Sequence, residues 1–223
     1  MSESKDAAAG IKKEYDPLPI PRQEMVAQQL RDRGISDQRV LDAMLRVPRH
    51  EFMPEQYREQ AYEDHPLPIG EGQTISQPYI VASMLEALSL RPIDNVLEVG
   101  SGSGYVTALL AELASQVFAI ERHAVLATRA RETIAKLGYR NVEIAIGDGS
   151  QGLPQHQPFD AIIVSAAAAR VPAPLLAQLA KGGRMIIPVG AADAQQLQLI
   201  RMQDGIPQIS LREPCRFVPL IAD

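Results

Sequence analysis

Three acidic residues stand where short apolar runs end: Glu98 in VLEVGSGSGY, Glu121 at the close of QVFAIE, and Asp148 between Gly147 and Gly149 in IAIGDG. Glu98 lies two residues ahead of Gly100, Gly102 and Gly104, a glycine at every second position where the apolar run gives way to a helical pattern. Glycines there let the backbone turn tightly and let a ligand approach the main chain without meeting a Cβ. The helix behind them offers unpaired N–H groups and a positive dipole end. A dinucleotide fingerprint would place its third glycine where Tyr105 stands, which disfavours a nicotinamide or flavin dinucleotide. A carboxylate at Glu98 would also repel a pyrophosphate and welcome a cationic head such as an α-amino group.

Glu121 follows Gly100 by twenty-one residues, the position from which a carboxylate grips the two hydroxyls of a ribose. Asp148 could accept from an exocyclic amine such as that of adenine. A nucleoside with an amino-acid tail and no phosphate satisfies all three acids, and S-adenosylmethionine is such a molecule. Ser101 and Ser103 in the loop, Arg122 beside Glu121, and Gly147 and Gly149 around Asp148 complete the cofactor-binding candidates. Each acid has a structural alternative. Glu98 could be a buried acid bonded to backbone amides, Glu121 a cap for a helix starting near Arg122, and Asp148 a turn residue. Three acids at three successive strand ends, with the glycine loop at the first, are hard to obtain by chance.

The elements that must hold them follow from periodicity. RQEMVAQQLRDRG, from Arg22, reads as a helix stopped by Gly34, and SDQRVLDAMLRV as a second, N-capped by Ser36 and ended by Pro48. Met53–Tyr62 reads as a short third helix and DHPLPIGEG as irregular turns. YIVASMLEALSL is amphipathic, with Ile80, Met84, Leu85 and Leu88 toward the core. Then short apolar runs alternate with helical stretches. The expected strands are NVLEVG, QVFAIE, NVEIAIGDG, FDAIIVSAA, RMIIPVG and QQLQLIRM, with PAPLLAQLAKGG a helix stopped by two glycines. This alternation predicts an α/β fold, a doubly wound and mostly parallel sheet with helices on both faces and an antiparallel edge strand. An N-terminal helical extension precedes it. Residues 1–20, polar and then proline-rich, read as a disordered tail; 21–223 read as one domain, with a helical and loop subregion at 21–77 and the sheet core at 78–223.

Composition narrows the function classes. The net charge is −5 and there is no Trp, which argues against a nucleic-acid partner. Cys215 is the single cysteine, so no intrachain disulfide can form. The four histidines, His50, His65, His123 and His156, have no spacing that would hold zinc, and no metal is expected. No apolar leader or membrane-length stretch is present, so a cytoplasmic location without membrane contact is expected.

LEVGSGSGY with a second-strand glutamate resembles the class I S-adenosylmethionine-dependent methyltransferases, whose sheet is Rossmann-like. GQTISQPYIVA, VLEVGSGSGY, GDGSQGLP, FDAIIVSAAA and RFVPL together resemble the protein-L-isoaspartate (D-aspartate) O-methyltransferase family. RDRGISDQRVLDAMLRVPRHEF and AYEDHPLPIGEGQTIS extend the resemblance, which spans residues 22–220. It implies that GQTISQP forms the acceptor side of the site, with Ser76 at the active-site serine position and Gln73 and Thr74 lining the same cleft. It implies S-adenosylmethionine as donor and S-adenosylhomocysteine as product. The acceptor would be an L-isoaspartyl α-carboxylate, or a D-aspartyl side-chain carboxylate, in a damaged protein, and a monomeric enzyme is expected. The VPA segment at Val171–Ala173 and the ending Phe217–Leu220 resemble parts that flank the peptide groove. Read without the resemblance, Ser76 is a helix N-cap before Pro78. Two other readings stand beside this one: a class I methyltransferase for a small carboxylate, and a non-catalytic module that only binds the cofactor.

Overall fold

The computed structural model describes residues 19–191 and 193–222. Helix α1, Pro19–Glu24, runs on as a π-helical turn over Met25–Leu30 and a tight turn over Arg31–Arg33. Gly34, at φ 97°, stops it in the left-handed region. The helix starts three residues ahead of the Arg22 expected from periodicity. Pro19 and Pro21 both fall in its first turn, where a missing N–H costs nothing. The rest of the expected tail, residues 1–18, lies outside the described residues.

Helix α2, Gln38–Arg46, buries Val40, Leu41, Ala43 and Met44. Its cap is Asp37, not Ser36. The Asp37 carboxylate accepts from the N–H of Arg39 at 2.9 Å and from that of Val40. The N–H groups of Ser36 and Asp37 go instead to Glu86 Oε1, at 2.7 Å each. The expected third helix, Met53–Tyr62, is a 3₁₀ turn over Glu55–Gln60, and another 3₁₀ turn, Arg49–Phe52, precedes it. The stretch read as irregular forms an antiparallel hairpin, β1 Leu67–Gly70 and β2 Gln73–Ile75. Glu71 and Gly72 both take positive φ between them, as a tight two-residue hairpin turn requires. Helix α3, Pro78–Leu88, begins on Pro78 with Gln77 before it and has no side-chain cap. Ser76 is therefore not the cap. Val81 and Ala82 join Met84, Leu85 and Leu88 in the core, while Ile80 is only half-buried.

The main sheet contains β3 Asn95–Val99, β4 Gln116–Glu121, β5 Val142–Ile146, β6 Phe159–Val164, β7 Leu179–Ala191, β8 Ala194–Gln203 and β9 Ile206–Cys215. Their order is β5-β4-β3-β6-β7-β8-β9. The first five are parallel, β8 is antiparallel to β7, and β9 is antiparallel to β8. The last strand goes beyond the six expected. It is the outer edge, solvated along most of its length and carrying Pro207 and Pro214, so it shows no alternation to read. The helix expected over PAPLLAQLAKGG is confined to α6, Ala173–Ala177, and β7 begins at Leu179. Gln178 closes α6 and turns its amide inward, to the Leu153 N–H and the Gln151 carbonyl.

Alternate residues of β3 divide the core. Val96 faces helices α4, Tyr105–Leu113, and α5, Ala124–Lys136, in a cluster that also holds Met25, Leu41, Met44 and Leu85. The subregion 21–77 thus shares its apolar core with the sheet. Leu97 and Val99 face the opposite side, where Leu175 of α6 packs. Helices cover both faces, unevenly. The chain winds β3-β4-β5 in one direction and then crosses to β6 on the other flank of β3. The carboxyl end of β3 is therefore the switch point where open α/β sheets bind ligands.

The capping geometry has a measurable consequence. Asp37→Ala should lower stability by about 1 kcal/mol, while Ser36→Ala should leave it nearly unchanged. Urea denaturation midpoints of the two variants test this, and equal losses would return the cap to Ser36.

Candidate active site

At the switch point an open cleft of about 800 Å³ has on its wall Gln73, Thr74 and Ser76 from the hairpin side, the loop Gly100–Ser103, and Glu98, Glu121, Arg122 and Gly149. Gly100, Gly102 and Gly104 take φ of 85°, 52° and 89°. At Gly104 a Cβ would stand 3.0 Å from that of Ala130, so glycine also lets α4 and α5 approach closely.

Glu121 organises the loop. Its Oε2 accepts from the Gly102 N–H at 2.8 Å and its Oε1 from the His123 N–H at 2.9 Å. The cap of α5 is His123, so Glu121 ties the glycine loop to the end of β4 rather than capping that helix. Each carboxylate oxygen keeps a further lone pair for a ligand hydroxyl.

Glu98 alternates with Leu97 and Val99 and so points toward α4, where Thr107 Oγ1 donates to its Oε2 at 2.5 Å. The side chain is fully buried, and Oε1 has no partner among the described residues. Burial pushes its carboxyl up to about 8; the Thr107 bond opposes the rise and the nearby Glu121 adds to it. Ser101 Oγ is likewise buried without a partner among the described residues. Two unsatisfied polar atoms on one cleft wall are what a polar ligand would complete.

Ser76 is half-buried on the cleft wall, and its carbonyl accepts from Arg49 Nη2 at 2.9 Å. Asp148 and Gly147 do not reach the wall. Asp148 caps a short turn and accepts from the Ser150 N–H at 2.8 Å and its hydroxyl at 3.0 Å. Several wall residues had no catalytic signature in the sequence. Ile120 lies near the end of β4, Tyr105 opens the helix Tyr105–Leu113, and His123 and Ser165 are loop residues there. Val218, Pro219 and Leu220 arrive from the chain's end, held by the bonds Ala167 N–H to Val218 carbonyl (2.8 Å) and Leu220 N–H to Ala167 carbonyl (2.7 Å). Leu220 also borders a second hollow lined by Arg170, Val171, Pro172 and Ala173.

A mostly parallel Rossmann-like sheet, a glycine loop at its switch point and carboxylates at adjacent strand ends define a methyltransferase of the class I type. The chain belongs to the protein-L-isoaspartate(D-aspartate) O-methyltransferase family, whose pattern matches residues 21–223. It is 55% identical over 204 residues to a protein-L-isoaspartate O-methyltransferase of Koribacter versatilis, covering 92% of each chain. Its identity to the one from Methanoculleus marisnigri is 53%, covering 93% of this chain and 94% of that one. A solved protein-L-isoaspartate O-methyltransferase superposes with TM-score 0.83 at 29% identity, covering 90% of this chain and 66% of that one. A putative Plasmodium falciparum protein of the same description, solved with S-adenosyl-L-homocysteine, gives TM-score 0.79 at 29% identity, covering 90% and 98%.

The buried Glu98 sets a pH dependence. Below about 4.5 its carboxyl is protonated in folded and unfolded chains alike and has no effect. Between there and about 8 only the unfolded chain releases the proton, so stability falls as pH rises; above that the cost is constant. The melting temperature of Glu98→Gln minus that of the parent should therefore climb across this window and then level off. A flat difference from pH 4 to 9 would contradict an uncharged Glu98 in the ligand-free protein.

Proposed function

We propose that the chain methylates the free α-carboxylate of L-isoaspartyl residues, and the side-chain carboxylate of D-aspartyl residues, in damaged proteins, starting their repair through a succinimide. The observation that carries this is the cleft itself: one wall lining brings Ser76 together with Glu98, Glu121 and the glycine loop, so that an acceptor and the donor can meet there. The residues fit S-adenosylmethionine. Glu98 and Ser101 have unsatisfied polar atoms for its amino-acid end, and Glu121 has lone pairs for its ribose. When bound, that cofactor supplies a sulfonium methyl that is electrophilic without further activation. Asp148 already bonds Ser150, so any contact with adenine would have to share that carboxylate.

An acceptor carboxylate is ionised at neutral pH and needs no base. The work left to the protein is alignment and exclusion of water. Ser76 donates its hydroxyl hydrogen to one acceptor oxygen and fixes its direction; it is not a nucleophile. Gln73 and Thr74 form the same wall, and Val218–Leu220 close the far side. The peptide runs from Ser76 past Leu220 toward Val171–Ala173 and is held mainly by its backbone, so that many damaged sequences are accepted. We take the enzyme as a cytoplasmic monomer that acts on proteins and not on nucleic acid, in keeping with its net charge of −5. No helix among the described residues is long and apolar enough to cross a membrane.

Two peptides that differ only in Asp versus isoAsp, given with methyl-labelled donor, test the reading. Label should enter the isoaspartyl peptide alone, and equal labelling or none would end it. Glu121→Ala should weaken S-adenosylhomocysteine binding by about 10- to 100-fold in calorimetry, the cost of losing hydrogen bonds to a charged group. Ser76→Ala should lower kcat about tenfold, as one lost hydrogen bond would, with cofactor affinity unchanged. Full activity in that variant would leave Ser76 a wall residue only.

A further inference from the structure

Arg49 opens the 3₁₀ turn before β1 and is entirely buried. Its Nε donates to the Ala61 carbonyl at 2.8 Å and its Nη2 to the Ser76 carbonyl at 2.9 Å. The guanidinium lies 5.0 Å from the ring centre of Tyr105, which also lines the cleft. Nη1 has no acceptor, and no carboxylate pairs with this cation among the described residues. The other buried arginine is treated differently: Arg184 is bonded directly to Asp94. Burial lowers the Arg49 guanidinium to about 10, which leaves it charged at neutral pH. A buried cation without a counter-ion is costly, and this one stands directly behind the loop that presents Ser76.

The acceptor is an anion, yet Glu121 lines the same cleft in a chain of net charge −5. Arg122 and His123 on the wall follow Glu121 in the chain, and His123 Nδ1 lies 3.9 Å from the Glu71 carboxylate in the hairpin turn. Arg22 of α1 adds a positive charge that acts on the Tyr105 hydroxyl. On the acceptor side the charge is that of Arg49. We propose that Arg49 is a positioning and specificity residue: its unpaired charge, delivered behind the Ser76 carbonyl, makes the cleft select an ionised acceptor over a neutral one. This rests on the acceptor site assigned above to Ser76. In a partly desolvated cleft such a charge acts over several ångströms. It thereby offsets the repulsion from the Glu121 carboxylate.

The test compares equilibrium binding of two peptides to the S-adenosylhomocysteine-loaded enzyme, one with isoaspartate and one with uncharged isoasparagine at the same position. The parent should bind the carboxylate peptide at least about tenfold tighter, the size of a modest charge–charge contact. Arg49→Gln, which keeps N–H donors and loses the charge, should erase that preference by weakening the carboxylate peptide while leaving the amide peptide within about twofold. Arg49→Lys should keep it. A role limited to holding the loop would weaken both peptides together in Arg49→Gln, and that result, or an unaltered preference, overturns the proposal. If Arg49→Gln does not melt cooperatively, Arg49→Lys decides, since lysine carries the charge but cannot serve both carbonyls; loss of its preference then overturns the proposal. Should the parent bind isoaspartyl and ordinary aspartyl peptides alike, the acceptor site itself falls, and the role of Arg49 with it.

Discussion

The carboxylate of Glu121 is fastened at both oxygens to main-chain N–H groups, one on the glycine loop and one on the turn into α5. Through these bonds the end of β4 decides where the loop after β3 can lie. The loop in turn fixes the wall on which Glu98 and Ser101 wait, and it sets the first turn of α4 against α5 at Gly104. A glutamate is suited to this because a carboxylate accepts several hydrogen bonds at once. In the role proposed for it, the same group that shapes the loop would hold a ribose without rearranging. Preorganisation of this kind lowers the cost of binding, since the donors and acceptors are ordered before the ligand arrives.

In the proposed assignment the two sides of the cleft meet reactants of opposite charge. On the donor side a glutamate lies in a dry pocket with one oxygen unsatisfied, and a second glutamate lies beside it. On the acceptor side an arginine is sealed under the backbone and shows the cleft only its field. A reaction that joins a cationic donor to an anionic acceptor neutralises both charges. Each wall thus suits the charged reactant more than the neutral product, an arrangement that favours loading and release over retention.

Much of this was legible in the residues. The alternation of apolar runs with helical stretches located β3 through β8, because buried parallel strands are near-continuous in Val, Ile, Leu and Ala. The acids at Glu98 and Glu121 stand out by their place at the carboxyl ends of β3 and β4, and the structure puts both on the cleft. Asp148 fits the same pattern, but its carboxylate is taken by Ser150, a local contact that strand-end spacing does not encode. Other features were hidden for identifiable reasons. The β1–β2 hairpin is too short for its alternation to stand out among prolines and glycines. Strand β9 is solvated and has no apolar face to announce it. Asp37 displaced Ser36 as cap because Glu86, fifty residues along the chain from Ser36, claims the neighbouring N–H groups. Arg49 reads as one more surface cation until its burial is known.

The cleft wall is assembled from positions as early as Gln73 and as late as Ile221. Val218–Leu220 are stitched to Ala167, and the Gln195 side chain grips the main chain of Phe217 at both its N–H and its carbonyl. The wall is therefore incomplete until the segment around Val218–Leu220 has docked onto Ala167, some fifty residues earlier in the chain. Pairing between such distant segments is slow to form, so a folding chain would assemble most of its scaffold before its cleft is closed.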